Sequence, residues 1–131
     1  ALNNPEISAI WATRGGYGCQ HLVEHIELSQ FKKSPKWYIG YSDNTVIHSF
    51  LLKKGFASIN GQTLKTSSFG VSDESYDGVF KILKGKFPTY KTEENLLNKK
   101  GNAGGQLIGG NFALVYALLG TKYSFAFKDN I

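Results

Sequence analysis

The first sixty residues alternate between short apolar runs and apolar residues at helical spacing, and this alternation constrains the fold more than any other feature of the chain. Ile7 to Ala12 (ISAIWA) is an apolar run with β-branched and aromatic members, which predicts a buried strand. Arg14-Gly15-Gly16-Tyr17-Gly18 breaks it. Leu22, Val23 and Ile26 then recur at helical spacing, predicting a helix over about 18–26. After Pro35, Lys36 to Ile39 (KWYI) reads as a second strand, and Gly40-Tyr41-Ser42-Asp43 as a turn. Val46, Ile47, Phe50 and Leu51 mark a helix that Gly55 ends at the usual C′ position. Phe56 to Ile59 (FASI) is the third strand. Strand, helix, strand, helix, strand calls for an α/β fold with a parallel sheet and helices on its faces.

The rest of the chain changes character. Residues 62–70 are rich in Ser, Thr and Gly, and Val79, Phe80, Ile82 and Leu83 predict a helix over about 72–84 with Ser72 as N-cap and Gly85 after its end. Residues 86–103 hold Pro88, many Lys, Glu and Asn and few apolar side chains, and read as a linker. Order returns from Gly104: a strand at Gln106 to Ile108, a turn at Gly109-Gly110-Asn111, a helix over about 112–119 ended by Gly120, and a strand at Tyr123 to Phe127. The expected organisation is residues 1–68 as part of a nucleophile-bearing α/β domain, 69–103 as helix and linker, and 104–131 as the start of a second, β-rich α/β domain. A three-stranded parallel sheet has two open edges and is a poor independent unit, so the chain is expected to be an internal piece of a longer protein, a partial doubly wound sheet.

Composition narrows the class. Of 131 residues, 41% are hydrophobic and 14% aromatic, enough to bury a core and too apolar for disorder. No apolar run approaches the roughly 18 residues of a membrane span, and no export signal opens the chain. The single cysteine excludes an internal disulfide and a Cys-rich metal site. A cytoplasmic location without membrane association is therefore expected. The formal charge is +5, yet the lysines are scattered and Arg14 is the only arginine. Phosphate-reading surfaces cluster their cations, so no nucleic-acid partner is expected.

Two glycine-bearing loops follow strands, and in open α/β sheets ligands bind at that carboxyl edge. In Ile39-Gly40-Tyr41-Ser42-Asp43-Asn44, a serine lies between strand and helix, as in a nucleophile elbow. Such a turn needs small flanking residues; Gly40 supplies one, and Asn44 stands where the second glycine is usual. The following helix start offers unpaired N–H groups to an oxyanion. The plainer alternative is that Ser42 or Asp43 caps that helix. The Arg14 to Gly18 loop could aim N–H groups at an anion or be a tight turn alone. Its spacing is not GxGxxG, so no dinucleotide cofactor is expected.

Three further features carry less. His21-Leu22-Val23-Glu24-His25 matches H-x-x-E-H, a zinc pattern in which Glu93 or Glu94 could be a third ligand. It falls on a helix with those glutamates in the linker, so no metal is expected. His48 lies six residues beyond Ser42, about 9 Å of helical rise, too far for a general base. Cys19 sits early in a helix, where a thiol pKa can fall, but no partner is identifiable and a small buried residue is the expected role.

Four blocks together resemble the LD-carboxypeptidase family of serine peptidases. They are Ala9-Ile10-Trp11 running into Arg14-Gly15-Gly16-Tyr17-Gly18; Pro35-Lys36-Trp37-Tyr38-Ile39-Gly40-Tyr41-Ser42-Asp43 with Thr45 and His48; Leu107-Ile108-Gly109-Gly110-Asn111 with Leu114; and Leu118-Leu119-Gly120-Thr121. The resemblance implies a doubly wound N-terminal domain joined to a β-rich one, in a cytosolic homodimer. It also implies hydrolysis of the amide between an L-centre and a terminal D-amino acid, releasing D-alanine from murein tetrapeptides during peptidoglycan recycling. It makes Ser42 the nucleophile and the Gly15 and Asp43 N–H groups the oxyanion hole. The family triad is Ser-Glu-His, and its glutamate aligns with Asp129, one methylene shorter. The family histidine is expected beyond residue 131, leaving this chain alone inactive. The strand after the elbow, which normally ends in H-G-P, here runs into Asn60-Gly61-Gln62. A microcin-C-type immunity peptidase and a non-catalytic binding module are the alternatives.

Overall fold

A computed structural model describes residues 1–69 and 73–131. Three strands, β1 (Ala9–Trp11), β2 (Trp37–Gly40) and β3 (Ile59–Asn60), form one parallel sheet in the order β1-β2-β3. Ala9 pairs with Trp37, Trp11 with Ile39, and Ile39 in turn with Ile59. Helices α1 (Cys19–Leu22), α2 (Thr45–Lys53), α3 (Asp73–Leu83) and α4 (Phe112–Ala117) surround it. The expected α/β class with a parallel sheet is what the chain forms. The expected N-cap Ser72 lies outside the described residues.

Alternation along β2 explains why both faces of the sheet are covered. Successive side chains point to opposite faces. Tyr38 joins a cluster built on α2, with Val46, Ile47, Phe50 and Leu51 beside Val23, Leu28, Phe31, Leu118 and Phe125. Ile39 points the other way, packing with Ile59 and Val79 of α3, and Trp11 and Trp37 border that second cluster. Helix α2 is buried from Thr45 to Leu51, its polar residues included. It lies between the sheet and the C-terminal segment. Asn111 N–H donates to Thr45 Oγ1 (2.9 Å), and Ser49 Oγ donates to the Tyr123 carbonyl.

Several elements differ from expectation. The first helix gives way after Leu22 to a 3₁₀ turn at Val23–His25, and Leu22 is exposed while Val23 is buried. The third strand is displaced toward its carboxyl end, because Phe56 N–H is held by the Leu51 carbonyl at the close of α2. Of the two expected C-terminal strands only the first makes a bridge, Gln106 in parallel with Asn130. Ile108 N–H donates to Ile131 O (2.8 Å) and Ile131 N–H to Gln106 O (3.0 Å). The Tyr123 to Phe127 run pairs with no strand among the described residues; its apolar content instead plants Phe125 in the α2 core. Periodicity registers that burial but does not reveal whether a ladder partner is present. Residues 86–103 carry no helix or strand and are almost wholly exposed.

Candidate active site

The parallel sheet brings the ends of β1 and β2 side by side, and with them the two glycine-bearing loops. Ser42 follows β2 at φ 60°, one of two non-glycine residues with positive φ among the described residues. An L-residue there pays roughly 1–3 kcal/mol, a cost found mainly where surrounding structure enforces it for a purpose. The enforcing contacts are local. The Asn44 amide donates to the Tyr41 carbonyl (2.9 Å) while its own oxygen accepts from Tyr38 Oη (2.5 Å). The Asn44 side chain lies so close over Gly40 that a Cβ there would meet Asn44 Cγ at 2.8 Å. Asn44, the departure from the usual second glycine, is thus the brace of the turn.

Ser42 is half-buried, and its hydroxyl has no hydrogen-bond partner among the described residues. It rests against the first loop: a Cβ placed on Gly15 would lie 3.0 Å from Ser42 Cβ and 3.3 Å from its Oγ. Only glycine leaves both the contact and the backbone amide in place. Residues 15 and 42 are therefore neighbours, as an oxyanion hole beside a nucleophile requires.

Asp43 has a role the sequence does not display. Neither Ser42 nor Asp43 makes a side-chain cap on its own helix. The buried Asp43 carboxylate instead crosses to the other loop, where Oδ2 accepts the Cys19 N–H at 3.0 Å and so caps α1. It also accepts from the Cys19 thiol. Burial and this bond to Asp43 push the thiol up to about 12, whereas a helix start by itself can lower a thiol pKa. Cys19 is half-buried and partnered. Burial raises the Tyr38 phenol as well, with Cys19 and Asp43 adding to the effect. An aspartate beside the serine is visible in the sequence, but its burial and its partner, 24 residues away, are not.

The remaining candidates fall elsewhere. His48 lies behind the elbow, bonded to the Gly40 carbonyl and to Ser58 Oγ and not to Ser42. Asp129 is exposed at φ 62° in a turn and makes no hydrogen bond to Ser42 or to a histidine among the described residues. The helix that would set His21 and His25 on one face ends at Leu22, and Val23–His25 form a 3₁₀ turn. His21 stacks edge-on against Tyr17, and Glu24 pairs with Lys122 at 3.1 Å. Among the described residues no three His, Cys, Asp or Glu side chains converge on a metal position.

Residues 1–61, which include all three strands and both loops, match the family described as the LD-carboxypeptidase N-terminal domain. The part of the chain that holds the sheet and both loops is thus similar to the N-terminal domain of the LD-carboxypeptidase family. It is 34% identical over 130 residues to a putative carboxypeptidase of Synechocystis, covering 98% of this chain and 41% of that protein. It is 30% identical over 134 residues to the murein tetrapeptide carboxypeptidase of Pseudomonas aeruginosa, covering 92% and 42%. The crystal structure of the muramoyltetrapeptide carboxypeptidase from Oxalobacter formigenes superposes with a TM-score of 0.78 at 25% identity, over 95% of this chain and 43% of that one. The microcin C7 self-immunity protein shares the fold at 24% identity, with a TM-score of 0.71 over 95% and 47%. The chain thus spans less than half the length of each of these proteins. Gly15, Ser42 and Asp43 lie inside the matched segment and Asp129 outside it.

Proposed function

We propose that the full-length protein is a serine hydrolase that cuts the L,D amide of murein tetrapeptides and releases the terminal D-alanine. One observation carries this: a serine held at φ 60° between a parallel strand and a helix, in contact with a glycine of the neighbouring loop. Ser42 Oγ attacks the scissile carbonyl carbon, giving up its proton to a base supplied from outside this chain. The oxyanion of the tetrahedral intermediate accepts the Gly15 and Asp43 N–H groups; one such donor is typically worth about 3 kcal/mol. Collapse breaks the C–N bond, the amine leaves with a proton, and water hydrolyses the Ser42 ester. Asp129 is the carboxylate proposed to orient the base. Peptidoglycan recycling, a cytoplasmic location and a homodimer complete the proposal.

Ser42→Ala in the full-length protein abolishes D-alanine release from a tetrapeptide, measured by amino-acid analysis; sustained turnover would remove Ser42 from the chemistry. Asp129→Asn lowers kcat if that side chain orients the base and leaves it unaltered otherwise. The shared fold with the microcin C7 self-immunity protein supports a second substrate class, an aminoacyl-nucleotide amide. Assaying both amides side by side separates the two. A non-catalytic binding module would fail to label with a serine-directed phosphonate.

A further inference from the structure

We infer that the Asp43 carboxylate is a positioning residue for the oxyanion hole, clamping the loop that carries the Gly15 amide to the turn that carries the Asp43 amide. The inference rests on Ser42 acting as nucleophile. The two proposed donors sit on different loops, so their separation is a tertiary quantity. The first loop is held on its strand side by Ala12 N–H on the Ile39 carbonyl (2.8 Å) and by Lys65 N–H on the Thr13 carbonyl (2.8 Å). On its helix side it is held by Cys19 N–H on Asp43 Oδ2 (3.0 Å). Among the described residues, the hydrogen bonds joining residues 14–19 to residues 41–44 all end on the Asp43 carboxylate. Gly15 lies between these holds and itself makes no backbone hydrogen bond among the described residues. Only one side of its position is guarded by sterics, the contact with Ser42. Releasing the clamp lets Gly15 drift away from Ser42 while leaving the serine, its φ and the substrate groove intact. Asp43 is buried, which strengthens the bond.

The test uses the full-length protein, with kcat and KM for an L,D tetrapeptide and the rate at which a fluorophosphonate labels Ser42. Asp43→Ala lowers kcat about tenfold to hundredfold, as expected when a donor shifts by an ångström, with KM within about twofold. Labelling slows in step. Asp43→Asn, whose Oδ1 still accepts the Cys19 N–H, keeps kcat within about fivefold of the parent. Cys19→Pro removes the same bond from the other side at a helix N1 position that tolerates proline, and reproduces the Asp43→Ala loss. Combining Asp43→Ala with Cys19→Pro adds little, because both break one bond. Parent-like kcat in Asp43→Ala or Cys19→Pro, equal losses in Asp43→Ala and Asp43→Asn, or a loss seen only in KM would overturn the clamp. An unlabelled, inactive parent protein would instead refute the nucleophile reading itself.

Discussion

His48 Nε2 donates to the carbonyl of Gly40 at 2.8 Å, so a histidine buried behind the elbow holds the last backbone group before the strained turn. Because a carbonyl only accepts, Nε2 carries the proton and Nδ1 accepts from Ser58 Oγ at 2.8 Å. Burial pulls the His48 pKa below its usual 6.5, with the Gly40 bond opposing in part. The folded state therefore binds this proton less readily than the unfolded chain. The stabilisation is complete above about pH 6.5 and is lost progressively as pH falls toward the lowered folded value. The Tyr38 ring, edge-on at 5.5 Å, offers the imidazolium no counter-charge. Tm should fall from pH 7 to pH 5 in the parent chain, and the fall should be smaller in His48→Gln. Parallel Tm profiles for the two would show that His48 is not the group responsible.

Gly15→Ala tests the contact between the two loops. The new methyl would meet Ser42 Cβ at 3.0 Å, tight enough to force one loop outward by some tenths of an ångström. Activity of the full-length protein should drop by about tenfold or more, since small displacements of a donor or nucleophile are costly. Tm should move little, because the loop is open to solvent on its other side. Unchanged kcat would mean that the loops yield without consequence.

Strain at the turn predicts an inverse relation between stability and function. Ser42→Gly should be more stable than Ser42→Ala by about 1 kcal/mol, since glycine accepts φ 60° without the Cβ clash that alanine keeps. Both variants should be inactive. Urea unfolding of the pair measures the difference, and equal midpoints would indicate that the turn relaxes once the hydroxyl is gone.

Leu51 sits at the centre of the larger core with no exposed surface, whereas Leu97, in the stretch between α3 and α4, is 89% exposed. Leu51→Ala should destabilise by about 2–5 kcal/mol through lost burial and the cavity left behind. Leu97→Ala should stay within about 0.5 kcal/mol of the parent, as surface substitutions do. Chemical denaturation of both variants checks the contrast.

Local patterning set the alternation of strands and helices from Ala9 to Asn60, because burial on both faces of a parallel sheet writes apolar runs between helix-spaced patterns. It also determined the site's raw materials: a serine between a strand and a helix, a glycine before it, and a glycine loop after the first strand. Both are short-range properties, set by neighbours within one turn or one strand. Three matters were decided only by the tertiary structure. The run from Tyr123 to Phe127 became a core anchor and not a strand, because apolar side chains report burial whether or not a partner offers a ladder. Cys19 acquired a raised and not a lowered pKa, because Asp43 reaches it from another segment. Gly15 came to rest against Ser42, because parallel pairing of Ala9–Trp11 with Trp37–Ile39 sets two distant loops at one sheet edge. Contacts between residues far apart in the chain leave no periodic trace in either segment, so their geometry emerges only when the sheet assembles.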